Sequence, residues 1–251
     1  MAKLTKIISN VDLYSSTTDT LGAELIGNKI QGLNGKEFAL AMSGAANLVV
    51  GNLLQEPAED TQFENMAIGT AGVAGDLYLQ VTNGTTTVTP VYYRGGSIGL
   101  YTAGTNVVGD EYTILDVTGT LTTGGALKVW LDRPLRTATT TSATVVMKRN
   151  LYSGVIQMPG STPTGAAVGI AIFAIPASTT TAPVYGYVQT RGVAAVLSDG
   201  STFAVGSAVG TPSATAGAVT VYAAATTKQS IGVAREAAAS AHAISVNLTG
   251  F

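Results

Sequence analysis

YGYVQTRGVAAVLSDG, residues Tyr185 to Gly200, reads as strand, glycine, strand, turn. Tyr187, Gln189 and Arg191 alternate with Val188 and Thr190, the period of a pleated strand whose successive side chains leave opposite faces. Gly192 interrupts them, Val193 to Leu197 continues as an apolar run, and Asp199-Gly200 has the composition of a turn. Ile231 to Leu248 echoes the pattern near the C-terminus. These residues build surface and carry no chemistry.

The same two-residue period recurs outward from this stretch. Asp76 to Thr82 sets Leu77, Leu79 and Val81 against Tyr78, Gln80 and Thr82, and Asn83-Gly84 predicts a hairpin into a strand over Thr85 to Tyr93. Tyr112 to Val117, Leu127 to Leu131 and Ala143 to Lys148 read as further strands. In LKVWLDRPL, Leu127, Val129 and Leu131 share one face and Lys128, Trp130 and Asp132 the other, and Pro134 ends the ladder because it lacks a donor. Gly35 to Met42 and Leu48 to Leu54 also read as strands; Ala and Leu would suit a helix over 36–54, but the interior glycines and the period-2 start favour strands. Ala166 to Ile175, Ala218 to Ala223 and Ile231 to Arg235 complete the set. The expected architecture is all-β: two small antiparallel barrel or sandwich units, at 67–150 and 151–251, behind an extended N-terminal arm and hairpin region at 1–66. The acidic stretch Gln55 to Asn65 reads as a linker or surface loop.

Only 11% of the 251 residues are charged, against about 25% in ordinary soluble proteins. Few repulsions then keep identical surfaces apart, so part of the surface is expected to be covered by other subunits. A net charge of −2 with scattered basic residues argues against a nucleic-acid partner, which needs clustered Lys and Arg. No run reaches the roughly 18 apolar residues of a membrane span, and MAKLTKIISN is no secretory signal, so no membrane partner is expected.

Candidate chemistry is thin. His242 is the sole histidine and there is no cysteine, which removes the usual zinc sites and thiol nucleophiles. A Ser-His-Asp triad would have to use His242, yet no G-x-S-x-G elbow is present. Glu59-Asp60 and Asp110-Glu111 lack calcium-loop spacing, and Gly69, Gly72 and Gly75 lack a Walker lysine. The chain is read as no enzyme, without catalytic residues, cofactor or metal. Two features point to partners instead. Leu4, Ile7, Ile8, Val11 and Leu13 have no obvious local partner, which reads as an arm reaching a neighbour or as an ordinary edge strand. Arg94 and Arg191, isolated and next to glycines, are candidate contacts for a partner's carboxylate.

The V-Q-T-x-G-x-A-x-V spacing of Val188 to Val196, with the blocks Gly35 to Gln55, Leu131 to Tyr152 and Tyr185 to Leu248, resembles the head decoration or cement proteins of tailed bacteriophages. The resemblance implies a virion protein made in the host cytoplasm that binds the outer capsid surface. It would clamp neighbouring major capsid protein subunits as a homotrimer, or alternatively a dimer. It also favours a loop over Glu236 to Ala243, where alanine-rich composition alone suggests a helix. A tail-fibre or adhesin module binding a host surface is the alternative, although the chain lacks the short repeat of a fibre shaft.

Overall fold

The computed structural model describes residues 13–18, 25–102, 110–179, 181–223, 228–238 and 242–251. It is all-β. The strands in chain order are β1 (Lys29–Gln31), β2 (Glu37–Ser43), β3 (Leu53–Gln55), β4 (Met66–Thr70), β5 (Tyr78–Thr82), β6 (Ser97–Thr102), β7 (Asp110–Gly119) and β8 (Ala126–Leu131). They continue with β9 (Ala143–Lys148), β10 (Ser153–Gln157), β11 (Ala167–Ala171), β12 (Tyr185–Leu197), β13 (Ala208–Gly210), β14 (Thr220–Val221), β15 (Ser230–Ala234) and β16 (Ala243–Leu248). Among the described residues no helix is long and apolar enough to cross a membrane.

Contacts divide the chain into two units: Met1–Ala58 together with Leu151–Phe251, and Glu59–Asn150. The middle unit is thus an insertion, and the division differs from the three consecutive segments 1–66, 67–150 and 151–251 suggested by the sequence. The physical reason is strand pairing. β2 lies antiparallel to β12 along Tyr185↔Met42 to Arg191↔Glu37, so the early chain is hydrogen-bonded into the sheet of the late chain.

In the outer unit, pairings run β2 to β10, β10 to β3, β3 to β11, β11 to β12 and β12 back to β2, which closes a ring of five strands. β2 is covered on both faces: Phe38, Leu40 and Met42 are buried, and so are Ala39 and Ala41, whose small side chains suit the tighter side. Beyond Gly192, β12 leaves this ring and pairs with β16 from Gly192↔Leu248 to Leu197↔Ala243. β16, β15, β13 and β14 follow, and a parallel bridge of Ser198 with Val219 returns to the end of β12. Ala194, Val196, Phe203, Val209, Ile231, Ile244 and Val246 are part of the core built against these strands.

Strand, glycine, strand is therefore one continuous 13-residue strand that changes partners at its glycine. Gly192 sits at φ +83°, and a Cβ there would lie 3.0 Å from Lys36 Cα, so both the backbone conformation and the space require glycine.

The middle unit is a closed six-stranded antiparallel barrel in the order β4-β5-β8-β7-β6-β9. Leu79, Val81, Ile98, Leu100, Ile114, Leu127, Val129, Leu131, Val145 and Met147 belong to its core. Closure leaves no free edge, and the interior of so small a barrel is filled by side chains.

Two local expectations are corrected. Asn83-Gly84 makes no two-residue hairpin: residues 85–89 form no strand, and Pro90–Tyr92 is a 3-10 turn. The Asn83 side chain is instead buried, its Nδ2 reaching the carbonyls of Thr86, Leu121 and Thr122 at 2.9–3.0 Å. Leu48 to Leu54 is no single strand, because the chain turns at Gly51 (φ +78°) between a Leu48–Ile175 bridge and β3. Over the described part of Glu236 to Ala243 the chain is a loop, as the resemblance implied, and Ala238 bridges Phe203.

Candidate functional site

Leu4, Ile7, Ile8 and Val11 lie outside the described residues. Leu13 is buried, and Thr17 exchanges two backbone hydrogen bonds with Tyr185, at 2.9 and 2.8 Å. The chain at Leu13 to Thr17 is therefore part of the outer unit, and Leu13 is not available to a neighbour. Arg94 and Arg191 are not isolated either. Arg94 Nε donates to Asp116 Oδ1 at 3.0 Å, and Arg191 Nη1 donates to Glu37 Oε1 at 3.3 Å. Glycine neighbours in sequence gave no sign of these cross-strand carboxylates.

Three of the candidate carboxylates, Asp110, Glu59 and Asp60, likewise have internal partners. Asp110 accepts from Arg136 at 2.6 Å, Glu59 pairs with Lys148, and Asp60 accepts from the Gln62 amide. Among the described residues no group of three or more His, Cys, Asp or Glu is placed to hold a metal. His242 stands exposed just before β16, its carbonyl accepting from the Ser198 amide at 2.9 Å. Next to Ser198, Asp199 accepts from the Ser201 amide and hydroxyl and, on its other oxygen, from the Ser213 hydroxyl. Partial burial opposes its ionisation, but these hydrogen bonds, with Thr220, prevail and hold the carboxyl below its ordinary range. Such a stabilised carboxylate is a poor base; its bonds organise the turn after β12.

One surface does gather chemistry that no internal role consumes: the outward face of β5, β8 and β7. The barrel pleat points Leu127, Val129 and Leu131 inward, so Lys128 and Trp130 point outward. Register sets Tyr78 opposite Trp130 and Gln80 opposite Lys128, with Thr118 opposite Lys128 on the far side. The Tyr78 and Trp130 rings stand 5.5 Å apart, tilted by 52°. Lys128 Nζ lies 4.5 Å from the Tyr78 centroid and 5.7 Å from that of Trp130. Trp130 Nε1 donates to Thr118 Oγ1 at 3.1 Å, which fixes the indole edge and leaves the residue 37% exposed. Leu115, the extra residue between the pairs Ile114↔Leu131 and Asp116↔Trp130, is 57% exposed on the adjoining strand.

Each of these contacts is worth about 0.5–1.5 kcal/mol, enough to hold three side chains in one arrangement without burying them. Alternation in LKVWLDRPL already places Lys128 and Trp130 on one face; only the register of β5 on β8 reveals that Tyr78 completes the row. Comparison with protein-family models, curated proteins and solved structures finds no match to this chain.

Proposed function

We propose that this chain is a structural virion protein that binds the outer surface of a phage icosahedral head and clamps neighbouring major capsid protein subunits together as a homotrimer. The observation that carries the reading is the role of the Val188 to Val196 spacing. The residues that resemble decoration proteins form β12, the strand common to both ladders of the outer unit, with the motif glycine at the bend. The low charge supports it as well, since a surface with few charged residues suits close association with other subunits. Three weak footholds on three capsid subunits act together, because after the first contact the others become intramolecular. Leu4, Ile7, Ile8 and Val11 are the proposed arm. Arg94 and Arg191 remain candidate contacts only through the exposed parts of side chains already paired.

Heads prepared without the protein test this. Added chain should sediment with expanded heads at a saturating, simple ratio to the capsid protein and raise the temperature at which the heads rupture. Failure to sediment with heads would overturn the proposal. The exposed aromatic row on the middle unit favours the alternative, a tail-fibre or adhesin module, which would bind host cells and not heads.

A further inference from the structure

We infer that the outward face of β5, β8 and β7 is a binding site for an acidic saccharide, with the sugar ring on Trp130 and its carboxylate or sulfate on Lys128. The inference does not depend on attachment to a head. Trp130 and Tyr78 offer π faces, whose negative quadrupole attracts the polarised C–H groups of a pyranose as it attracts a cation. The rings alternate with polar groups: Gln80 lies across from Lys128, and Thr118 lies beside it, within reach of sugar hydroxyls.

Charge selects the acidic class. Lys128 is held over two rings, and among the described residues no carboxylate forms an ion pair with it, whereas Arg94, Arg136, Lys148 and Arg191 each have one. Its positive charge is thus held at the surface, while Asp116, across from Trp130, is paired with Arg94 and Asp132 accepts from the Thr113 amide. The whole chain carries a net charge of −2, so a polyanion is not drawn to it by bulk charge, and retention reports a local site.

Electrophoresis of the full chain through native gels containing polygalacturonate, heparin or neutral dextran tests the inference. Retardation by one of the acidic polymers, weakened by salt and absent in dextran, is expected. Trp130→Ala should abolish it, Trp130→Phe should retain part of it, and Lys128→Gln should reduce it at least several-fold. Both side chains point outward, so the circular dichroism of all three variants should be unchanged. No retardation by either acidic polymer would overturn the inference, as would retardation that Trp130→Ala and Lys128→Gln leave intact.

Discussion

Glu59 and Lys148 form an ion pair that joins the two ends of the inserted barrel. The outer unit holds its own two ends together separately, through the antiparallel pairing of β3 with β10 at Gln55↔Ile156 and Gln157↔Leu54. Each unit therefore closes without chain supplied by the other.

Replacing Glu59–Asn150 with a short Gly-Ser linker should leave a folded outer unit, and Glu59–Asn150 alone should fold as a barrel. Thermal unfolding followed by circular dichroism should remain cooperative for both; a broad, featureless melt of either would contradict their independence. Lys148→Ala should cost the intact chain only about 0–1 kcal/mol, because the pair is exposed.

Gly192→Ala should destabilise the outer unit by about 1–3 kcal/mol, since a left-handed φ is imposed on a side chain at a crowded bend. Gly192→Val should cost more. Urea denaturation measures both, and a loss under about 0.5 kcal/mol would mean that the bend tolerates ordinary residues there.

The Asp199 carboxyl titrates below its ordinary value of 3.8 in the folded chain. The folded state then binds protons less readily than the unfolded one, so this group stabilises above that value and the contribution is lost as pH falls through and below it. Asp199→Asn should flatten the acid limb of the stability profile below about pH 4. Identical acid limbs for the two proteins would contradict the hydrogen-bonded carboxylate. Tyr93 acts at the other end of the scale. Burial raises its phenol above the ordinary 10.0, more than Arg149 lowers it, so stability falls as pH rises past that value.

Deleting residues 2–12 removes Leu4, Ile7, Ile8 and Val11 but spares Leu13 and the Thr17–Tyr185 pairing. The melting temperature should be nearly unchanged and head binding should weaken about tenfold or more, as expected when one anchoring contact of a multivalent attachment is lost. Unchanged head binding would sink the arm.

The barrel strands were the most legible part of the chain. One face of β5 and of β8 meets water while the other meets the core, so Tyr78 to Thr82 and Leu127 to Leu131 alternate cleanly. β2 is covered on both sides, and its alternation therefore says nothing about which face is inside. Partner choice was illegible throughout, because β2 meets β12 across the whole insertion and no local signal marks that pairing. Asn83-Gly84 carries a strong local hairpin signal, but the carbonyls of Leu121 and Thr122, brought to Asn83 by the tertiary fold, together with the nearby Thr86 carbonyl prevail over it. Arg94 and Arg191 looked unpaired for the same reason: Asp116 and Glu37 reach them only through strand register.

The most direct test of capsid cementing is copy number: quantitative mass spectrometry of virions purified from cells that produce this chain, measured against their major capsid protein. A ratio near one to one, or a simple fraction of it, is expected of a protein bound across the shell lattice. A complement of only a few copies to a few dozen, as at a tail or a vertex fibre, or absence from the particle, would contradict the account.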